Sequence, residues 1–257
     1  MLRPTPTEAA MEEIAQLVET VDPTQIPEQD FLYTDATVTS LVVVPADMLG
    51  DPAYEGDFLP YLLPSRRETW YGSDNTLQIR TTNQPPVFFS EEDEAAYYTA
   101  GLDDQDRIGE TTTDTFTDDR DFSTWPTNPN ELDAAIRERI PPETSRPNEV
   151  EYLEIALGLI REVFTPPLLR ATTLTLIGRI PTLDLVDQAS EQTTFAIEYE
   201  QDEVETRQTF TLTSQGDLVS EETRVLEDHP RLGIPADTPV FTAQYSTPTI
   251  VDTLDQP

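Results

Sequence analysis

The balance of charged side chains constrains this chain more strongly than any motif within it. The sequence holds 50 Asp and Glu residues against 15 basic residues, all of them Arg, and its formal net charge at pH 7 is -35. Spread over the roughly 11,000 Å² of surface expected for a folded chain of this mass, the charge leaves about one excess carboxylate per 300 Å². Such a surface repels itself at ordinary salt and destabilises the compact state.

Concentrated salt removes most of this repulsion, because the Debye length falls to about 3 Å at molar ionic strength. The absence of Lys points the same way, since Arg pairs with carboxylates in planar bidentate geometry whereas Lys adds a flexible, strongly hydrated charge. In its acidity and lack of Lys the sequence resembles proteins of extremely halophilic archaea and their viruses. This resemblance is one of composition, extends over the whole chain and implies a protein that works in molar salt.

The residue inventory removes several kinds of chemistry. Cys and Lys are absent, so thiolate ligands, disulfides, a Walker lysine and a Schiff base are all impossible. The single histidine, His229 in EDHPRLG, has no G-x-S-x-G serine motif to act with, and the scattered Gly residues form no dinucleotide fingerprint. We therefore expect no catalytic residue, no cofactor and no metal site.

Two kinds of partner are also not expected. Nucleic acid binding depends on basic side chains that displace counterions from phosphates, and this surface has the opposite sign. No run approaches the roughly 18 apolar residues of a membrane-spanning helix. With no apolar signal segment near the N-terminus, we expect the protein to stay in a salty cytoplasm or in a particle assembled there.

Carboxylate chemistry remains open, because a glycosidase needs only two acids beside the substrate bond. The acidic stretch 103–122, DDQDRIGETTTDTFTDDRDF, raises the further possibility of a calcium loop. Aligned from Asp104, however, it has Ile108 and Thr115 at two positions where an EF-hand needs ligands. We interpret the stretch as a solvated, salt-adapted loop that holds cations loosely at most.

The N-terminal residues predict an amphipathic helix over 6–21. Thr5 and Glu8 have the spacing of a capping box, and Pro6 suits the first helical position. The apolar face of this helix comprises Ala10, Met11, Ile14, Leu17, Val18 and Val21. Two interpretations remain open: the helix docks on its own domain, or it is an arm that packs on a neighbouring subunit.

The next residues predict a strand pair over 31–45 and a strand over 76–82, separated by an irregular, Pro-broken segment at 54–73. This segment brings Trp70 and Tyr71 together with Arg66 and Arg67. Aromatic residues and Arg are enriched at interface cores, so the segment is a candidate contact surface.

The second half of the chain predicts a helix over 131–139 capped by Asn130, and another capped by Asn148. The strands expected after them lie at 168–178, 193–200, 204–214, 218–226 and 239–245, with a hairpin turn at 215–217. The predicted fold class is α+β and β-rich, ending in a helix packed on an antiparallel β-meander. Three consecutive domains are expected. Residues 1–90 would hold the N-terminal helix and a β region with the Pro-rich aromatic segment, 91–147 an acidic loop or linker with a short helix, and 148–257 an α+β domain.

These features favour a non-enzymatic structural subunit of a larger assembly, such as a connector, tail, baseplate or capsid component of a haloarchaeal virus. A soluble halophilic binding protein of the cytoplasm and, less favoured, a carboxylate-based hydrolase are the alternatives. The expected partners are further copies of the chain and other structural subunits. The predicted interface residues are Met11, Ile14, Leu17, Val18, Arg66, Arg67, Trp70 and Tyr71.

The net charge predicts that folding depends on salt. Dialysis below about 0.5 M salt should unfold the protein cooperatively, because the carboxylates are then less well screened from one another. Circular dichroism melting curves in about 0.1 M and about 3 M potassium chloride test this, and equal melting temperatures would contradict it.

Overall fold

The computed structural model describes residues 4–21, 25–28, 30–50, 54–117 and 121–254. The chain packs as two compact units, each assembled from two separate segments. The helical unit comprises Met1–Gln25 and Asp119–Glu221, and the sheet unit comprises Ile26–Asp118 and Glu222–Pro257. The predicted α+β, β-rich class with an N-terminal helix is confirmed. The unit boundaries do not follow the three consecutive segments proposed from the sequence, because residues distant along the chain pack together.

Within the described ranges the helices are α1 (Pro6–Val18), α2 (Ala46–Leu49), α3 (Glu91–Thr99), α4 (Leu102–Asp106), α5 (Pro129–Glu138), α6 (Asn148–Arg161) and α7 (Pro167–Ile177). The strands are β1 (Phe31–Pro45), β2 (Phe58–Gly72), β3 (Thr76–Asn83), β4 (Val87–Phe88), β5 (Thr111–Thr117), β6 (Leu183–Gln188), β7 (Gln192–Gln201), β8 (Val204–Thr213), β9 (Leu218–Val225), β10 (Pro239–Tyr245) and β11 (Thr249–Val251). None of the described helices is long and apolar enough to cross a membrane.

Helix α1 begins with the predicted capping box. The Glu8 N–H donates to the Thr5 hydroxyl (3.1 Å), and the Thr5 N–H donates to the Glu8 carboxylate (2.7 Å). The helix ends at Val18 rather than at Val21, which lies in a following turn.

Helix α1 docks on its own chain within the helical unit, although not on the 1–90 region expected as its domain. Its buried face packs on α7 and near the β8–β9 turn, and two glycines permit this approach. A Cβ added at Gly178 would lie 2.7 Å from the Met11 Cβ, and one at Gly216 would lie 2.5 Å from Val18 Cγ2. A Cβ essentially never lies this close to a nonbonded carbon atom, so a side chain at either position would force α1 to shift.

The prediction of a strand over 168–178 is wrong, because these residues form most of helix α7. This helix is buried on nearly all sides, so it lacks the amphipathic period of a surface helix. Its threonine hydroxyls bond to the preceding turn, with Thr172 donating to the Leu168 carbonyl (2.8 Å) and Thr175 to the Ala171 carbonyl (3.0 Å). Tertiary burial therefore overrides the strand preference of these threonines.

The prediction that 54–73 is irregular is also wrong, because most of this segment is strand β2. Strands β1 and β2 pair in one unbroken antiparallel register, from Phe31 opposite Gly72 to Pro45 opposite Phe58. The predicted strand pair at 31–45 is accordingly a single strand of 15 residues.

The prolines of β2 fit the strand because of where its outer neighbours pair. On the side away from β1, β4 pairs with Tyr61 and Leu62, and β3 pairs with the residues from Ser65 onward. Pro60 and Pro64 fall outside both pairings. The Pro64 carbonyl accepts from the N–H of Gln84, which follows β3 (2.8 Å), so the Pro64 nitrogen also points away from β1. Its missing N–H therefore leaves no gap in the β1–β2 ladder.

In the sheet unit the strands lie in the order β5-β3-β2-β1-β10, with β4 also paired to β2 and β11 to β1. One end of the β1–β2 pair carries a core with α2, α3 and α4, formed by Leu49, Leu59, Tyr61, Ala96, Tyr97 and Leu102. The segment 91–147, predicted as an acidic loop with a short helix, instead contains α3, α4, β5 and α5. Ser90 caps α3, and the acidic residues at its start complement the positive end of the helix dipole.

In the helical unit the strands lie in the order β6-β7-β8, followed by the part of β9 up to Glu221, with the β8–β9 turn at Gly216 as predicted. The Phe195 and Phe210 rings stack at 5.4 Å between centroids on β7 and β8. Helix α5 is capped by Asn128 rather than Asn130. The predicted cap at Asn148 is also wrong, because Asn148 is the first residue of α6 and follows Pro147, which makes no side-chain cap.

A pair of Gly-to-Ala substitutions tests the docking of α1. Gly158→Ala should stabilise the protein by roughly 0.5–1 kcal/mol, because Gly158 is helical and its Cβ would meet open space. Gly178→Ala should destabilise it by about 1–3 kcal/mol, because the new methyl group displaces Met11. Chemical unfolding in molar salt measures both. Stabilisation by both substitutions would show that α1 does not rest on Gly178.

Candidate functional site

The predicted interface residues divide into buried and exposed groups. Met11, Ile14, Val18 and Trp70 lie in the chain's own fold with at most 4% of each exposed. The interface prediction is wrong for these four, because the chain buries its own apolar stripe and indole ring in folding. Leu17 is 48% exposed. Arg66 and Arg67 are exposed, and Tyr71 is half-buried.

Arg66 is exposed but is already engaged within the sheet unit. Its Nε and Nη2 donate to Asp35 Oδ2 at 3.2 and 3.1 Å, and Nη2 lies 3.3 Å from Glu68 Oε1. Hydrogen bonding to Asp35 raises the pKa of Arg66. Arg66 thus compensates two carboxylates of its own sheet instead of standing ready for a neighbour.

Trp70 on β2 packs between Tyr33 of β1 and Arg80 of β3. The Tyr33 ring centroid is 5.2 Å from that of Trp70, and the Arg80 guanidinium lies 4.8 Å from the indole centroid. The Tyr33 hydroxyl donates to Glu68 at 3.1 Å, and burial is the main cause that raises the pKa of Tyr33. These contacts account for the burial of the Trp70 ring within the chain's own fold.

The acidic stretch 103–122 is structured over the residues that are described, 103–117 and 121–122. Both the Tyr61 and Tyr97 hydroxyls donate to Asp106 Oδ2, at 2.8 and 2.9 Å, and Asn83 donates to the Asp106 carbonyl at 2.6 Å. Burial, followed by the bond to Asp106, raises the pKa of each tyrosine. Asp106 therefore ties α4 to the core of the sheet unit. Across the described ranges, no group of three or more His, Cys, Asp or Glu side chains could hold a metal ion.

Glu221, the most buried of the carboxylates described in the helical unit, is part of an ion-pair network. Arg161 Nε donates to Glu221 Oε2 at 2.7 Å, and Arg161 Nη2 donates to Glu221 Oε1 and, at 3.4 Å, to Glu154. Gln208 also donates to Glu154. One guanidinium thus holds both acids, which is the geometry of a structural network rather than of two carboxyls flanking a substrate cleft.

His229 lies in a turn of the sheet unit. The backbone N–H of His229 donates to the Ile234 carbonyl at 2.8 Å. The carboxylate of the neighbouring Asp228 accepts from the backbone N–H of Ala236, also at 2.8 Å. The Asp228 carboxylate therefore holds the turn.

The outer side of β5 has no strand partner among the described residues of the sheet unit. The inner side pairs with β3 in continuous register, from Thr111 opposite Thr82 to Thr117 opposite Thr76. No described strand pairs with the outer side. Six of the seven residues are exposed, and the strand contains a single charge, Asp114. A regular edge of this kind presents N–H and C=O groups to which another strand can bond.

The edge strand of the helical unit is built differently. Strand β6 is interrupted by a register shift between Leu185 and Asp187, and it carries a second acid at Asp184. Bulges and charges are devices by which proteins prevent strands from adding to an edge. Strand β5 lacks the bulge and has half as many acids, although it is the longer strand.

An apolar row leads across the sheet unit to β5. The register places Ile250 opposite Leu32, Leu32 opposite Tyr71, Tyr71 opposite Leu77 and Leu77 opposite Phe116. Directly paired residues point to the same face, so these five side chains form one line. Leu32 in this apolar row is 2% exposed, whereas Phe116 at its end is 52% exposed. The row therefore reaches the open edge and ends there at a half-exposed ring.

Sequence reasoning missed β5 and Phe116, although a signal exists. The stretch TTTDTFT has β-branched or aromatic residues at every position but one. Acidic residues on both sides made it look like part of a solvated loop. Of the predicted interface residues, Tyr71 alone lies in the apolar row.

No protein-family model matches this sequence, and a search of curated proteins found no significant match.

Two Arg substitutions test whether the buried carboxylate network is structural. Arg161→Met should lower the free energy of unfolding by about 3–5 kcal/mol, because it removes the guanidinium that pairs with the buried Glu221 carboxylate. Arg207→Met, which breaks an ion pair with Glu198 that is nearly half exposed on both sides, should cost less than about 1 kcal/mol. Denaturant titrations in molar salt give both values. Equal losses would contradict a structural role for the Arg161 network.

Proposed function

We propose that this chain is a non-enzymatic structural subunit of a larger protein assembly, joined to its neighbours through the outer side of β5. The observation that carries the proposal is the regular, exposed β5 edge at which the apolar row ends. Strand addition to such an edge supplies main-chain hydrogen bonds, and the side chains beside it supply apolar contact.

The setting we propose is a virion component of a halophilic archaeal virus. The support is compositional: the net charge of -35 and the lack of Lys suit molar salt. High salt weakens attraction between charges, so subunits in this setting must associate through hydrogen bonds and apolar burial. An edge strand of Thr residues with one aromatic ring offers both.

The enzyme alternative receives less support from the same residues. The buried Glu221 and the part-buried Asp106 are held by Arg and Tyr side chains of their own units. The hydrolase hypothesis needs two carboxyls beside a space that a sugar could enter.

Light scattering coupled to size-exclusion chromatography in molar potassium chloride tests the proposal. We expect the native protein to have a mass above the 28.9 kDa of one chain, and Phe116→Asp to reduce it to a single chain. The new carboxylate would place a charge at the centre of the contact, where it would lose water without gaining a partner.

The matched control is Val186→Asp on β6. Val186 is 59% exposed and Phe116 is 52% exposed, and both substitutions add one negative charge to an edge strand. Val186→Asp should leave the assembly mass unchanged. A native protein that is monomeric at every concentration, or equal effects of the two substitutions, would contradict the proposal.

A further inference from the structure

We infer that the strand added to β5 is the β5 strand of a second copy of this chain, antiparallel and related by a two-fold axis, with Thr115 opposite Thr115. This inference rests on the proposed function and specifies its first contact. An isologous pairing of this kind joins the same surface of both copies.

The register follows from charge and from the position of Phe116. Centring the pairing on Asp114 would put two carboxylates directly opposite each other, which destabilises a sheet. Centring it on Thr113 would leave Phe116 outside the paired residues of β5 and opposite Glu110. Centring it on Thr115 places Asp114 opposite Phe116 and Thr113 opposite Thr117, so no like charges meet.

The Thr residues are chemically suited to pair with themselves. In the β3–β5 pair, Thr82 Oγ1 lies 2.9 Å from Thr111 Oγ1, its direct partner in register. In the helical unit, Thr194 and Thr211 face each other on β7 and β8 with the same 2.9 Å separation. A hydroxyl both donates and accepts, so two identical Thr residues satisfy each other across a two-fold axis.

The pairing also continues the apolar row. Asp114 and Phe116 point to the same face as Leu77, because residues two apart in a strand share a face. In the Thr115-centred register the Phe116 rings of the two copies are diagonal neighbours, a separation that aromatic side chains bridge. The half-exposed end of each apolar row is thereby covered by the other copy.

Charge density favours a second copy over a basic partner. Strand β5 has one acid in seven residues, which leaves little to attract a cationic strand but lets two identical strands approach. The sequence on either side is acidic, with Asp103, Asp104 and Asp106 before the strand and Asp118 and Asp119 after it. The pairing should therefore strengthen as salt rises, because screening reduces repulsion between these flanks.

Single-cysteine variants of the full chain test the register directly, because the native sequence contains no Cys. Directly opposed residues in an antiparallel pair have Cα atoms about 4.5–5.5 Å apart, within the range of a disulfide. Under mild oxidation in molar salt, Thr115→Cys should form a covalent species of twice 28.9 kDa that a reductant returns to 28.9 kDa.

Two variants on the same strand are matched controls. The two copies of position 113 would be about 13 Å apart along the strands, so Thr113→Cys alone should not crosslink. Thr113→Cys combined with Thr117→Cys should crosslink, because these positions oppose each other. Positions 113, 115 and 117 are all exposed, so the fold tolerates the changes, and circular dichroism in molar salt checks this.

The outcomes separate this inference from the proposed function. If the protein is multimeric in molar salt but Thr115→Cys does not crosslink, β5 does not pair with itself and the inference fails while the proposed function stands. Preferential crosslinking of Asp114→Cys would overturn the stated register. A monomer at every salt and protein concentration would overturn both.

Discussion

Fifteen consecutive residue pairs join β1 to β2, and the rest of the sheet unit is built on that pairing. At about 3.4 Å per residue the two strands run together for about 50 Å. At one end Leu59 and Tyr61 lie in the core with α3 and α4, and at the other Leu32 and Tyr71 lie in the apolar row. The register is strongly specified, because a slip of one residue would turn each of these side chains to the opposite face.

Shared ion pairs help to explain how a chain this acidic can fold into closely packed strands and helices. In each unit an Arg serves two carboxylates: Arg66 contacts Asp35 and Glu68, and Arg161 contacts Glu154 and Glu221. The planar guanidinium suits this arrangement, since it offers several donors in a fixed geometry. The remaining carboxylates repel one another, and dissolved salt screens this repulsion over the whole surface, including the edge of β5.

Local signals predicted some elements well and misjudged others for identifiable reasons. The capping box at Thr5 and the strand around Phe195 could be predicted because each depends only on residues close together in the sequence. Pro64 suggested a broken segment, since the sequence does not reveal which side of a strand lacks a neighbour. The threonines of α7 suggested a strand, because complete burial removes the helical period. The exposed edge at β5 was missed since its acidic surroundings resemble a solvated loop.

The sequence by itself determined the acidic, Lys-free surface, the chemistry that the missing Cys and Lys forbid, the α+β class and the N-terminal helix. These follow from composition and from periodicities within a few residues. Tertiary structure alone decided that Met11 and Trp70 are buried while Phe116 is exposed, and that Arg66 is engaged by Asp35. Whether an apolar residue becomes core or surface depends on which distant strands and helices pack against it. That information lies in the pairing of β1 with β2 and in the docking of α1 on α7, which bring together residues far apart in the chain.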